Sequence, residues 1–308
     1  MTGEPTGAMT RQQTGEPAFV RIDGVAHHVV VEGSGPVCVL SAGLGMSWFD
    51  WDPVVPLLAP HRTVVRFDRP GHGLSQPAAG PPTAAGEAHR IAALLDALGL
   101  PGPATAVGHS IAGFHAEAFA RLHPDRTGAL VLVDSSVEEH PRVGTGAGAV
   151  ARVLGTVLCA AGAPAALGPA VRRAAVRHDP APTALVHRVY RTSRVLRGTL
   201  WENAHYGAVA AELLALRATH PLPPGLPVTV LAAPDGSARW ERRQRALARR
   251  LGARYEAAVP SGHLVMKDRP EAVAAVILRS VPRSVPRSGP QSVPRSGREE
   301  VPGPQEGA

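Results

Sequence analysis

Ser110 stands in a setting that could make a serine hydroxyl reactive. An apolar segment at residues 104–107 leads through Gly108-His109-Ser110-Ile111-Ala112 directly into a helical pattern. A serine at such a sharp turn from strand to helix has a strained backbone that lifts its Oγ above the sheet. Gly108 and Ala112 are small enough for the two backbones to approach each other there. The pattern predicts that Ser110 is a nucleophile.

A reactive serine needs a base and a carboxylate that orients the base. His263 follows the last predicted strand and is the expected general base. Asp235 follows the predicted strand at residues 228–231, and ligand-facing residues gather at the carboxyl ends of parallel strands, so Asp235 is the expected carboxylate. Asp134 also ends a predicted strand and is the alternative acid, with capping of the following segment as its competing role.

Acyl transfer also requires N–H donors for the oxyanion that develops on the substrate. The residue after the nucleophile, Ile111, supplies one backbone N–H. The second is expected from Leu44, because the surrounding Ala42-Gly43-Leu44-Gly45-Met46 follows a predicted strand and its glycines allow the chain to turn an N–H inward. We expect Gly43, Met46 and His109 to line the substrate pocket beside these donors.

Parallel strands must hold these residues together. Apolar segments alternate with helical patterns from residue 37 onward, which predicts an α/β fold with a mainly parallel, doubly wound sheet of about eight strands. A β-hairpin is predicted at residues 19–32, ahead of the alternation. The helix-rich residues 136–224 interrupt the alternation after the sixth strand and predict an insertion at one edge of the sheet. The other predicted strands lie at residues 37–41, 63–67, 105–107, 129–133, 228–231 and 254–259.

Composition argues against several other classes of protein. The 308 residues contain two cysteines, Cys38 and Cys159, and no Cys/His spacing typical of zinc sites, so we expect no disulfide framework, no metal and no cofactor. The net charge of +7 comes without a nucleic-acid-binding motif, so no nucleic-acid partner is expected. Residues 153–171 are uncharged but contain two prolines, which favours a soluble helix over stable membrane insertion. The N-terminal residues lack the apolar run of a signal peptide, so a cytoplasmic location is expected.

The sequence from about residue 20 to residue 278 resembles the α/β-hydrolase family. Residues 68–75, Asp-Arg-Pro-Gly-His-Gly-Leu-Ser, are similar to the family's D-x-x-G-x-G-x-S loop, and the serine, acid and histidine segments occur in the family's order. Two positions depart from the pattern: Ala42-Gly43 stands where members carry His-Gly, and Ala232 replaces the usual glycine of the acid loop. Ser110 stands where the related epoxide hydrolases and haloalkane dehalogenases use a carboxylate, which argues against both activities.

This resemblance implies a hydrolase core and a helical cap that closes over the site. The core is expected at residues 18–135 and 225–279 and the cap at residues 136–224. Low-complexity composition predicts disordered segments at residues 1–17 and at residues 280–308, where Ser-Val-Pro-Arg repeats.

Arginines are concentrated in the expected cap. Residues 141–200 carry nine arginines and one acidic residue, Asp179. Four of the arginines recur at three-residue spacing from Arg188, which would fan them around a single helix. Arg188 and Arg191 are candidates to face the pocket and bind a carboxylate or phosphate of the substrate, and solvated arginines on an exposed lid are the competing interpretation.

The sequence therefore predicts a serine hydrolase that cleaves an ester of a small or medium apolar acyl group through an acyl-enzyme intermediate. Its partner would be a small-molecule substrate, and its oligomeric state is open. A thioesterase, an amidase or aminopeptidase, a lactonase and a carbon–carbon bond hydrolase remain alternatives on the same triad. A non-catalytic ligand receptor on the same fold is the alternative of another class.

Overall fold

A mainly parallel sheet organises the structure. The computed structural model describes residues 15–176, 179–234 and 236–280. Its eight strands within these ranges are β1 (Ala18–Ile22), β2 (Val25–Glu32), β3 (Val37–Ser41), β4 (Thr63–Phe67), β5 (Ala104–His109), β6 (Thr127–Val133), β7 (Val228–Ala232) and β8 (Arg254–Ala257). They pair in the order β1-β2-β4-β3-β5-β6-β7-β8. Strands β3 to β8 run parallel, β1 and β2 form the predicted antiparallel hairpin, and β2 also pairs antiparallel with β4. The predicted sheet is thus confirmed.

The helices cover both faces of this sheet. Every residue of β4, β5, β6 and β7 is buried, which requires packed layers on both sides. The helices are α1 (Val55–Leu58), α2 (Ala84–Ala97), α3 (Ala112–Leu122), α4 (Ala147–Ala160), α5 (Ala163–Ala175), α6 (Thr183–Tyr190), α7 (Ser193–Thr219), α8 (Ala238–Leu251), α9 (Val265–Asp268) and α10 (Pro270–Arg279).

Alternate residues of β6 show how the two layers divide. Leu130 and Leu132 pack on the face that α2, α3 and α8 cover, whereas Val131 and Val133 pack on the face that α1 and α10 cover. This period of two is the geometry of a strand buried on both faces. The sheet is therefore a rigid platform, and the carboxyl ends of β5 and β6 are fixed beside each other.

Four helices, α4 to α7, lie between β6 and β7, where the sequence predicted an insertion. The longest of them, α7, is attached to the core by polar side chains. The Glu212 carboxylate accepts hydrogen bonds from the N–H groups of Ala84 (2.5 Å) and Ala85 (3.2 Å), at the N-terminus of α2. Anions are stabilised at this end of a helix. Arg217 donates two hydrogen bonds of 2.7 Å to Glu117 of α3.

Residues 153–171, expected not to insert into a membrane, fall in two helices. Within the described ranges, no single helix is both long and apolar enough to cross a membrane. Helices α4 and α5 reach that length and composition only as a pair, and they are bent by 108° at the break between them.

Candidate active site

The turn between β5 and α3 holds Ser110 in the conformation that the sequence predicted. Ser110 has a φ of +55°, in the left-handed region that non-glycine residues rarely occupy. Hydrogen bonds hold it on both sides: its N–H donates to the Val133 carbonyl (3.2 Å), and its carbonyl accepts from Gly113 (3.0 Å) and Ser136 (3.0 Å). A residue that surrounding hydrogen bonds hold in a strained backbone conformation is typical of a functional site.

Two glycines allow close approaches at the start of α3. A Cβ added at Gly108 would lie 2.2 Å from the Ala112 carbonyl oxygen, so this glycine permits the approach of β5 to α3. A Cβ at Gly113 would lie 2.0 Å from the Ser135 Oγ, so this glycine permits the approach of α3 to the segment after β6. The small residue predicted at position 108 is therefore required by the packing of the turn.

His263 pairs with Asp134. The His263 Nδ1 lies 2.6 Å from the Asp134 Oδ2, with Asp134 buried and the His263 side chain 51% exposed. An Nδ1–H that donates to a carboxylate leaves Nε2 unprotonated, which is the tautomer that a general base requires.

The acid expected from the sequence was Asp235, and that position lies outside the described residues. The structure instead places the alternative acid, Asp134, beside the histidine. Asp134 directly follows β6, which lies beside β5 with its Ser110 turn.

The Asp134 carboxylate is held in place by further hydrogen bonds. Its Oδ1 accepts from the Ala233 N–H (2.9 Å) and from the Trp240 Nε1 (2.8 Å), which leaves Oδ2 for the histidine. Its backbone φ is +39°, and its N–H donates to the Leu231 carbonyl (2.7 Å). These contacts join β6 to β7 rather than cap the segment after β6, so the competing role predicted for Asp134 is not the one observed.

Three residues predicted to line the pocket do lie together. A Cβ on Gly43 would be 2.8 Å from the His109 Nδ1 and 3.1 Å from the Met46 Sδ. The buried His109 donates from Nε2 to the His263 carbonyl (2.9 Å), and the two rings are 4.6 Å apart. Burial, reinforced by the nearby His263, lowers the pKa of His109 to about 3. His109 is therefore a neutral residue that positions the histidine loop.

A model of the alpha/beta hydrolase family matches residues 38–276. The chain belongs to this family. Among curated proteins, it is 37% identical over 128 residues to "Putative carbamate hydrolase RutD" of Caulobacter sp. (strain K31), which is 40% of this chain and 46% of that protein. It is 34% identical over 132 residues to the polyketide synthase ThaQ of Burkholderia thailandensis, which is 43% of this chain and 6% of that protein. The chain thus spans less than half the length of these relatives.

Solved structures show the same family fold over most of the chain. Cfl2 from Burkholderia cenocepacia superposes with a TM-score of 0.67 at 23% identity, covering 84% of this chain and 93% of that one. The enol-lactonase from Burkholderia xenovorans LB400 gives 0.65 at 23% identity, covering 85% and 99%. At these identities, what the proteins share is the fold.

The family's D-x-x-G-x-G-x-S loop is fastened at both ends by its own motif residues. Asp68 accepts hydrogen bonds from the N–H groups of Trp48 (3.0 Å) and Leu74 (3.0 Å). The Ser75 hydroxyl donates to the Asp68 carbonyl (2.7 Å). Gly73 has a φ of +49°, and a Cβ there would lie 2.0 Å from the Asp68 carboxylate. The motif thus fixes the loop that carries Arg69 and His72.

Arg69 connects this loop to the predicted oxyanion loop. Its guanidinium donates to the carbonyls of Ala42 and Gly43, the latter at 2.8 Å. These are the two residues before Leu44, whose N–H is the predicted oxyanion donor. The second predicted donor, Ile111, is buried at the start of α3. The position of the Leu44 N–H therefore depends on a buried arginine that sequence reasoning missed.

Arg69 is in turn paired with Glu202 of α7. The Arg69 Nε lies 2.7 Å and Nη2 2.9 Å from the two Glu202 oxygens, and both side chains are almost fully buried. Burial alone would raise the pKa of Glu202, but the Arg69 charge outweighs it and lowers the pKa to about 2. The His72 Nε2 lies 3.4 Å from the same carboxylate. The sequence offered one signal for this ion pair: Glu202 is an acidic residue directly beyond the arginine-rich residues 141–200.

The arginines of the inserted helices have three different surroundings. Arg172 is buried and pairs with Asp50 (2.5 Å) and Asp179 (2.6 Å), and Lys267 lies 3.2 Å from both carboxylates. It therefore has a structural role. Arg188 and Arg191, the predicted pocket arginines, are exposed near the C-terminus of α6. Others, including Arg152, Arg194 and Arg197, line a cavity between the inserted helices and the core.

No candidate metal site is present in the described part of the chain, where no three His, Cys, Asp or Glu side chains are grouped suitably for an ion. Ser110, His263 and Asp134 are the candidate catalytic residues.

Proposed function

We propose that this member of the alpha/beta hydrolase family is a serine hydrolase that cleaves esters of small or medium apolar acyl groups. The observation that carries the proposal is the pairing of His263 with Asp134 at 2.6 Å, on the same sheet edge as Ser110 with its φ of +55°. A nucleophile, a base and an orienting acid are the minimum set for acyl transfer.

The reaction proceeds in two half-reactions. The Ser110 Oγ attacks the ester carbonyl carbon while the His263 Nε2 takes the hydroxyl proton, and the Asp134 carboxylate stabilises the imidazolium. The N–H groups of Leu44 and Ile111 bind the oxyanion of the tetrahedral intermediate. Collapse of the intermediate breaks the ester bond, His263 protonates the departing alkoxide, and the acyl group stays on Ser110. Water then attacks the acyl-enzyme with His263 as base. The free acid is released, and the Ser110 hydroxyl is regenerated.

A carbamate is the second candidate substrate, since the name of a relative 37% identical over 128 residues includes carbamate hydrolase. Carbamates and esters present the same kind of carbonyl to Ser110, so the triad accommodates both. Opening of an epoxide is disfavoured because the nucleophile is a hydroxyl and not a carboxylate.

Two matched variants test the acid. Because Asp134 fixes the tautomer of His263, Asp134→Asn is expected to lower kcat for ester hydrolysis by roughly 10³- to 10⁴-fold. Asp235→Asn makes the same chemical change at the other candidate and is expected to leave kcat within about threefold, because the Asp134 Oδ2 already occupies the His263 Nδ1. If Asp235→Asn lost activity and Asp134→Asn retained it, the acid that orients His263 would be Asp235.

A substrate panel tests the chemical class. Nitrophenyl esters of increasing acyl length, the matched nitrophenyl carbamates and acyl thioesters are compared by kcat/KM. The proposal expects esters of short and medium acyl chains to be the best substrates. A higher kcat/KM for carbamates or thioesters than for esters would contradict the proposal. Hydrolysis of no member of the panel would also contradict it.

A further inference from the structure

A cavity of about 540 Å³ lies between the core and the inserted helices α4 and α7. Its core wall is formed by the loop after β4 and by α2, and neither Ser110 nor His263 lines it. Cavities of this size take small organic molecules. It is therefore a candidate binding site, separate from Ser110 and His263.

The side of the cavity formed by α4 and α7 is basic. Arg152, Arg194 and Arg197 line it, and no ion pair found within residues 15–176, 179–234 and 236–280 includes any of the three. The Arg194 Nη2 donates to the Gly73 carbonyl (2.5 Å), while its Nε is buried and makes no hydrogen bond within the described ranges. The Arg152 guanidinium lies over the Trp201 ring, 4.7 Å from its centre. A guanidinium with free N–H groups favours a carboxylate, which it can bind in bidentate geometry.

The opposite side of the cavity is largely apolar, with two polar atoms that lack hydrogen-bond partners. Pro77, Pro81 and Pro82 line it together with small alanines, and the Trp201 ring closes the α7 side. The buried Glu87 Oε2 and His72 Nε2 have no hydrogen-bond partner among the described residues. Buried polar atoms are normally hydrogen-bonded, and unpaired ones inside a cavity are positions for water or for polar groups of a ligand.

The two other charged pairs along the cavity are already neutralised. Arg69 is bound to Glu202, and the Arg90 Nε lies 3.3 Å from the Glu87 Oε1. The unpaired positive charge is therefore confined to the arginines of α4 and α7, at the solvent side, where Arg152 and Arg197 are exposed. This arrangement suits a ligand with one anionic end and an apolar body.

We propose that this cavity binds a small organic carboxylate, whose carboxylate group pairs with Arg194 and Arg197 and whose apolar body packs against the prolines and Trp201. The proposal does not depend on catalysis by Ser110. Burial of apolar surface supplies affinity and the arginines supply orientation, as in other small-molecule sites.

Calorimetric titration of the full chain with three probes tests this proposal. Octanoate has both a carboxylate and an apolar body, octan-1-ol lacks the charge, and inorganic phosphate lacks the apolar body. Octanoate is expected to bind roughly tenfold or more tightly than either of the other two, because only octanoate satisfies both sides of the cavity. Equal affinity for octanoate and octan-1-ol would overturn the proposal, and so would tighter binding of phosphate.

The chain supplies a charge-matched control for the arginines. Arg194→Met with Arg197→Met removes two positive charges inside the cavity, and Arg188→Met with Arg191→Met removes two from the exposed end of α6. The first pair is expected to weaken octanoate binding by roughly tenfold or more, and the second to leave it within about twofold. Arg197→Met alone, on an exposed side chain, provides the same comparison if the double cavity variant does not fold. Unchanged octanoate binding in the cavity variants would overturn the proposal, because octanoate would then be bound elsewhere.

Discussion

The buried pair between Arg69 and Glu202 should contribute to both stability and catalysis, and the two effects can be separated. Glu202→Met leaves the Arg69 guanidinium buried with only the Ala42 and Gly43 carbonyls as partners. Removing one partner of a buried ion pair costs about 3–5 kcal/mol. This is a large part of the roughly 5–15 kcal/mol by which a domain is stable.

The double variant Arg69→Met with Glu202→Met should recover most of that loss, because neither charge is then left unpaired. A deficit of about 1–3 kcal/mol should remain, since the two carbonyls lose their donor. Activity should not recover with stability. Without Arg69, the loop that carries Leu44 is no longer fixed, and a displacement of about 1 Å in such a loop lowers kcat by roughly 10²-fold.

The assay is urea unfolding of the wild type, both single variants and the double variant, with kcat measured on the best ester of the panel. The expected result is a double variant that is more stable than Glu202→Met but as inactive as Arg69→Met. Additive losses of stability would refute the reasoning, because they would show that the two side chains are not coupled in solution. Full activity in the double variant would refute the role assigned to Arg69.

Two further predictions concern α3 and the turn that precedes it. Burial, reinforced by the nearby Arg69, lowers the pKa of His115 to about 3, and neither ring nitrogen has a hydrogen-bond partner in the described structure. Near pH 6.5 the unfolded chain therefore binds a proton on His115 that the folded chain does not bind, so the free energy of unfolding falls as pH drops from about 6.5 towards 3. In urea unfolding, His115→Leu should reduce the slope of stability against pH by about 1.4 kcal/mol per pH unit. An unchanged slope would contradict the buried neutral state. Gly108→Ala should cost about 1–3 kcal/mol, because the new Cβ would lie 2.2 Å from the Ala112 carbonyl oxygen, whereas Gly102→Ala, with no atom within 4 Å, serves as its control. Equal unfolding midpoints for the two alanine variants would show that the turn is not tightly packed.

Local sequence patterns were sufficient to predict the sheet and the nucleophile turn. Ser110 sits between an apolar strand and a helix, and small residues at the point of close approach are visible along the chain. His263 was predicted as the base because it follows the last strand. Both predictions depend on residues close together in sequence, and for this reason they could be made before the structure was known.

The pairing of His263 with Asp134 depends on contacts that a linear pattern does not contain. Asp134 and Asp235 both follow a predicted strand, so the pattern alone could not decide between them. Asp134 reaches the histidine because its backbone turns to a φ of +39° and because Trp240, 106 residues away, donates to its carboxylate. Arg69 and Glu202 are separated by 133 residues and show no shared motif.

The arginines show how one break in a helix changes a prediction. The three-residue spacing from Arg188 suggested one continuous helix, but α6 ends at Tyr190 and α7 begins at Ser193. The break separates Arg188 and Arg191 from Arg194 and Arg197, and only the second two line the cavity. Counting three-residue steps across the break therefore could not predict which arginines line the cavity.

The central claim is that Ser110 is a nucleophile activated by His263. Labelling of the folded protein with a fluorophosphonate, followed by mass spectrometry of the modified peptide, tests it most directly. The account predicts covalent modification at Ser110 in the wild type, its loss in Ser110→Ala, and labelling that is slower by roughly 10²-fold or more in His263→Ala. Folded wild-type protein that remains unlabelled, or a label on any other serine, would contradict the account.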